Sequence, residues 1–210
     1  MQRFSLLLML WVLASCQATN PGGGVTPNSP DLASLLVPVA QARDALQQAA
    51  VQFQGAREQL AQVAKSGGDS QAESSAAVTA HDNCVEAAVA VSSAIAVVEE
   101  SANTLFQQWQ IETAVYTDPQ LKAENQARLT AAWQRYEGLI QVLRQSAAQM
   151  DPVLAALNAH VQSLQAAPLA TASASRGEAL PVLQNDIAAL LLQLDNAIAR
   201  ADAFAASTQQ

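Results

Sequence analysis

From Leu32 to Phe204 the apolar residues return at alternating steps of three and four, a spacing that lines one face of a helix and lets neighbouring helices share a seam. Four such runs are present. The first carries Leu32, Val39, Leu46, Phe53 and Leu60 in one row and Leu35, Ala42, Ala49, Ala56 and Val63 in the other. The second carries His81, Ala88, Ile95, Ala102, Trp109 and Tyr116 beside Cys84, Val91, Val98, Leu105 and Glu112. The third carries Trp133, Ile140, Ala147, Leu154 and Val161 beside Leu129, Tyr136, Leu143, Met150, Leu157 and Leu164. The fourth carries Leu180, Ile187, Leu194 and Ala201 beside Leu183, Leu190, Ala197 and Phe204.

Turn residues separate the runs: "SGGD" at 66–69, "TDPQ" at 117–120 and "APLATASASRG" at 167–177. Pro119 suits the first turn of a helix with Asp118 as its cap, and Ser175 with Glu178 has capping-box spacing. Pro152 falls on the outer face of a seam that continues in register, which predicts a kink inside a continuing helix. Gly55 and Gly138 lie off the seam. Pairing Trp109 with Leu129 centres an antiparallel turn on Pro119. Pairing Phe53 with Cys84 centres one between Gly67 and Gly68, and pairing Leu157 with Ile187 centres one near Ala172. The three registers land in the three breaks. They predict an all-α fold over residues 31–207, a long antiparallel up-down-up-down bundle of four helices with coiled-coil-like seams. The second and third helices, at about 47 residues and roughly 70 Å, outlast the other two. Residues 107–132 are therefore expected to project as a two-helix tip.

Composition supports an all-helical chain. Half of the residues are hydrophobic, but aromatics make up only 4%, and Ala, Gln and Leu dominate over strand formers. The formal charge of −8 argues against nucleic acid as a partner, and against adsorption to anionic lipid by charge alone.

Residues 1–15 read as a lipoprotein signal peptide. Arg3 supplies the positive start, and Phe4 to Leu13 is an apolar run too short to span a bilayer. Leu13-Ala14-Ser15-Cys16 then matches the lipobox: a large aliphatic residue, two small residues that let a protease approach, and a thiol to accept diacylglycerol. Cys16 is thus the expected lipid attachment site, and cleavage before it frees an amine for a further acyl chain such as palmitate. Several chains make a stable anchor where one is marginal. Residues 16–30, rich in Gly, Pro, Asn, Ser and Thr, read as a lipidated Cys and flexible tether. Gln17 stands where Asp commonly retains lipoproteins in the inner membrane. The expectation is an outer-membrane anchor with the body in the periplasm. Cleavage removes Arg3, so the Lys+Arg count falls from 10 to 9 against 18 acids, a formal −9.

Several stretches, "ARDALQQAAVQFQGA" (42–56), "LFQQW" (105–109), "RYEGLI" (135–140), "MDPVLAAL" (150–157) and "ADAF" (201–204), resemble the bacterial domain-of-unknown-function family 2959. The resemblance spans roughly residues 40–206, and "PDLASLLVP" before it departs from the family pattern. It implies a secreted or lipoprotein-like helical protein of Gram-negative bacteria and carries no activity or site residue with it.

His81 and Cys84 lie three apart on one helical face with Asp82 nearby, and His160 lies toward the same bundle end. A metal or redox pair and a packed core Cys with a satisfied His are the two readings. A zinc site takes four ligands where two soft ones stand here, so no metal and no cofactor is expected. No Ser-His-Asp spacing and no phosphate loop is present, and Glu99–Glu100 reads as a solvated face. No catalytic residues are assigned and no enzyme activity is expected. The aromatics point elsewhere, because Trp109, Ile111, Tyr116 and Leu129 fall on the tip with Phe106 and Trp133 at its base. Trp109 and Trp133 are expected to pack inward. Tyr116, Ile111, Arg128 and Trp109 form the candidate partner-binding set. The functional expectation is an envelope lipoprotein, held to the membrane by its N-terminal lipid and meeting an envelope protein through an interaction or structural module. The alternative is a carrier of a small apolar or lipid ligand, in a gap beside the Ala-rich first helix.

Overall fold

The computed structural model describes residues 31–66, 71–166 and 173–208. The expected signal peptide, Cys16, the expected tether, the glycines of the first break and much of the last break lie outside the described residues. The Asp31 carboxylate accepts the Ala33 backbone N–H at 3.3 Å and caps a short 3-10 turn, Leu32–Leu35. That turn runs straight into α1, Leu36–Ser66, and is followed by α2, Gln71–Val115, α3, Pro119–Ala166, and α4, Ser173–Thr208. At 1.5 Å per residue, α2 and α3 extend about 70 Å, against about 45 Å for α1 and about 55 Å for α4.

The α2–α3 connection forms as its residues dictate. Asp118 accepts the backbone N–H groups of Gln120 at 2.8 Å and Leu121 at 3.3 Å, and Pro119 fills the first helical position, where no N–H is needed. α4 begins at Ser173, so Ser175 stands inside the helix and not at its cap, a two-residue displacement within the usual scatter of helix ends. α3 passes through Pro152 without a break. Pro152 is exposed, so water can satisfy the carbonyl that its missing N–H leaves free. Gly55 and Gly138 face open space.

The helices close into a square, α1 on α2, α2 on α3, α3 on α4 and α4 back on α1. This is an all-α antiparallel four-helix bundle. Every seam residue expected for α1 and α4 is buried. In α2, Cys84, Val91, Ile95, Val98, Ala102, Leu105 and Trp109 are buried, while His81, Ala88 and Glu112 are half-buried, as is Tyr116 just past its end. In α3 the row from Leu129 to Leu164 is buried throughout, but the second row needs correction. Trp133 is 39% exposed and Ala147 and Leu154 are half-buried, whereas Asn125, Ala132, Leu139, Ser146, Val153 and His160, one heptad position earlier, are buried. α3 packs on two neighbours at once, so its buried stripe is wider than a two-row seam, and its centre includes small and polar residues that hydrophobicity alone passes over.

Two registers reappear in the contacts. Carrying Phe53–Cys84 along the pair brings Leu60 level with Ala77, and carrying Trp109–Leu129 along brings Val161 level with Ala77. These three residues meet at the far end of the bundle around an apolar gap of about 10 Å³. Toward the other end, the Phe106 ring lies 4.8 Å from Trp133 and 5.5 Å from Tyr136. Arg144 reaches Glu99 across α2–α3 at 2.7 Å, and Arg43 reaches Asp202 across α1–α4 at 3.2 Å.

Candidate functional site

α2 and α3 outrun the other helices at the end where the described chain begins. Asp31 and Leu32 sit beside Trp109, Arg128, Ala132 and Arg135, around a groove of about 180 Å³. On the other flank Asp31 and Ser34 meet Glu100, Thr104, Gln108 and Glu112 in a polar groove of about 530 Å³. The first described turn therefore lies beside α2 as far as Glu112 and α3 back to Arg128. The hairpin that no other described residue covers is shorter than the expected 107–132, at about 113–127.

Inside the hairpin a closed polar cycle joins the two helices. The Trp109 indole N–H donates to Asn125 Oδ1 at 2.9 Å, and Asn125 Nδ2 donates to Thr113 Oγ1 at 2.9 Å. The Thr113 hydroxyl donates to the Trp109 carbonyl at 2.7 Å. All three residues are buried, with Trp109 only 4% exposed. Trp109 therefore leaves the candidate contact set, because its ring is covered by the start of the chain and its one donor is engaged internally. The sequence reading also missed Asn125 and Thr113. The signal was available, since Thr113 follows Phe106 by seven residues and Asn125 precedes Ala132 by seven, and a lone seam Asn is a known register-setting device.

The outside of the hairpin is mostly polar, with three large aliphatic side chains among Gln, Asp, Lys and Glu. Ile111 is 67% exposed, Val115 73% and Leu121 50%. Tyr116 is half-buried at the turn, and Lys122 and Arg128 are exposed. Ile111 and Val115 lie one helical turn apart and share a face. Trp133, expected inward, shows part of its ring while still packing on Phe106 and Tyr136, 5.7 Å from the latter. Burial beside Glu99 raises the Tyr136 phenol above its ordinary value, with Arg144 opposing.

The His81–Cys84 pair does not assemble a metal-type site. Cys84 is wholly buried, and burial pushes its thiol up to about 12, which keeps it neutral and unreactive. His81 Nδ1 lies 3.1 Å from Asp82 Oδ1 at the surface. His160 is buried at the same bundle end, as expected, against a gap lined by Ala56, Leu60, Ala77 and Ala80, the neighbour of His81. Among the described residues no group of three or more His, Cys, Asp or Glu is placed to hold a metal ion. Nor is any helix there long and apolar enough to cross a membrane.

These features define a four-helix bundle with a buried apolar core and a projecting hairpin that carries three exposed aliphatic side chains. The chain matches the family described as "Protein of unknown function (DUF2959)" over residues 32–208, and it belongs to that family. The match reaches back to Leu32 and so includes the opening turns that seemed to depart from the family pattern. No curated protein and no solved structure matches the chain.

Proposed function

We propose that this protein is an envelope lipoprotein, anchored in the outer membrane through Cys16, whose periplasmic bundle serves as a structural or interaction module without catalysis. Its working surface is the hairpin end, with Ile111, Tyr116 and Arg128 at the contact. The partner lies in or on the anchoring membrane, either an envelope protein seated there or the phospholipid surface itself. The observation that carries this reading is the grouping of exposed Ile111, Val115 and Leu121 at the end where the chain arrives from Cys16. The complete "LASC" pattern and the Gly- and Pro-rich residues after it support the anchor. The small gaps among the described residues favour a module over a ligand carrier. The apolar gap at the far end, about 10 Å³, has room for about one water, and the larger 530 Å³ groove has polar walls.

The test is the intact mass of protein extracted from membranes. It should show acyl chains on an N-terminal Cys16, and Cys16→Ser should leave the protein unprocessed or free of the membrane. A mature, unmodified N-terminus at another residue removes the anchor. Photo-crosslinkers at 111 and 116 should trap a specific contact, while one at Gln48, exposed on α1, should not. The reverse pattern removes the surface.

A further inference from the structure

We propose that the hairpin end rests on the phospholipid surface that holds the anchor. Ile111, Val115 and Leu121 dip into the headgroup layer, and Lys122 and Arg128 meet lipid phosphates. This rests on the lipoprotein reading of Cys16. The first argument is position. The described chain begins at Asp31, against Trp109 and Arg128, and the hairpin overhangs that point by about 10 Å. A tether of the composition and length of residues 17–30 has a reach of roughly 20 Å. A membrane holding Cys16 is then met first by the overhang.

The second argument is charge. Between residues 107 and 132, Glu112, Asp118 and Glu124 stand against Lys122 and Arg128, so the hairpin carries a formal −1. Most of the excess of acids over bases lies in the rest of the body, so repulsion from an anionic lipid surface is weak at this end.

The third argument separates lipid from protein. A protein interface concentrates its energy in a large aromatic or Arg anchor seated in a well-packed pocket. Trp109, the largest candidate on the hairpin, is buried and bonded inside it, and Tyr116 is half-buried. What faces outward is a set of separate aliphatic side chains with a Tyr at the turn and charged groups of both signs alongside. A headgroup layer accepts such a set without shape complementarity. No described helix can span the bilayer, so the contact is shallow.

The experiment uses the full-length lipidated protein, reconstituted into phosphatidylethanolamine vesicles with a minority of phosphatidylglycerol. A benzophenone amino acid is placed at Val115, at Leu121, or at Leu192, which is equally open to solvent on the shaft of α4. Phospholipid adducts are then read by mass. Adducts at 115 and 121 should exceed those at 192 by about tenfold, the factor carried by burying one such side chain. Ile111→Gln with Lys122→Gln should cut the adduct at 121 several-fold while the melting temperature holds, since both residues are exposed. Equal adducts at all three positions overturn the proposal, as does a protein adduct at 115 in whole cells with no lipid adduct. Acylated Cys16 without hairpin adducts overturns this proposal and leaves the lipoprotein reading standing. A bare Cys16 overturns both.

Discussion

Replacing Asn125 by Ala should open the hairpin end while the rest of the bundle stays closed. The substitution removes the acceptor of the buried Trp109 indole N–H and the donor to Thr113. An orphaned buried donor costs about 1–3 kcal/mol. Thr113 keeps its own bond to the Trp109 carbonyl and adds little. The void left by Asn125 lies where only two helices meet, so it can largely collapse. A total of about 2 kcal/mol follows, a factor of about 30 in the local opening equilibrium. Segments with few packed neighbours open independently of the global transition. Hydrogen exchange should therefore accelerate by about 30-fold for amides near 109–129, and hardly at all around Leu46 and Leu143, both fully buried at the centre of the bundle. Trp109→Phe in the same chain removes the orphaned donor and should recover part of the loss, since deleting both partners is much cheaper than deleting one. Exchange that rises uniformly along all four helices, or stays unchanged at the hairpin, would refute the assignment of the cycle as the local lock.

Leu143→Ala, at a wholly buried site with neighbours held by two other helices, should cost about 2–5 kcal/mol in a denaturant titration, and Gln141→Ala, exposed two residues away, within about 0.5 kcal/mol; equal costs would disprove the α3 stripe. Cys84 should resist alkylation in the folded protein and react on unfolding, because burial holds its thiol at about 12. With the unfolded thiol ionising near 8.5, the unfolded state sheds its proton first, so stability should fall as pH rises from about 9 toward 12. The slope should be up to about 1.4 kcal/mol per pH unit steeper than in Cys84→Ala, and identical slopes would show that the thiol is not excluded from water.

Helix number, direction and two of the registers were legible because they depend on a long-range repeat that averages over many residues. α1 and α4 read most cleanly, since their seam positions are almost all aliphatic. α3 read half correctly. Its buried stripe runs through Ser146 and His160, whose polarity hides them from a hydrophobic pattern, while Trp133 drew the frame toward a position that packs at the edge of an aromatic cluster. The hairpin was legible from the unequal lengths of the runs, but its extent was not. The heptad repeat ran through Leu32 and Leu35, but Asp31, which lines the grooves reaching Glu112 and Arg128, stands before its first seam residue. Asn125 and Thr113 were missed for the opposite reason to Trp133. Each is polar and lies one position off the rows read from the sequence, so only the partner's position shows that it is buried.

The polar cycle also explains why the outside of the hairpin is free to carry aliphatic side chains. A two-helix overhang buries too little surface for aliphatic contacts alone to choose one pairing over a slipped one, since a slip by one heptad costs little when the rows are alike. Asn125 removes that freedom, because any slip strands its amide and the Trp109 N–H in an apolar seam. Once the register is held from inside, Ile111, Val115 and Leu121 have no part in folding the hairpin. Exposed aliphatic residues also stand on the shaft, singly as Val37 and Val182 and at helical spacing as Val85, Val89 and Val97. Here three large apolar residues fall within eleven positions, across a single turn, on a segment whose pairing does not need them. Their substitution by polar residues should leave the fold intact and change only what the hairpin touches, so this end of the molecule is where contact can be separated experimentally from stability.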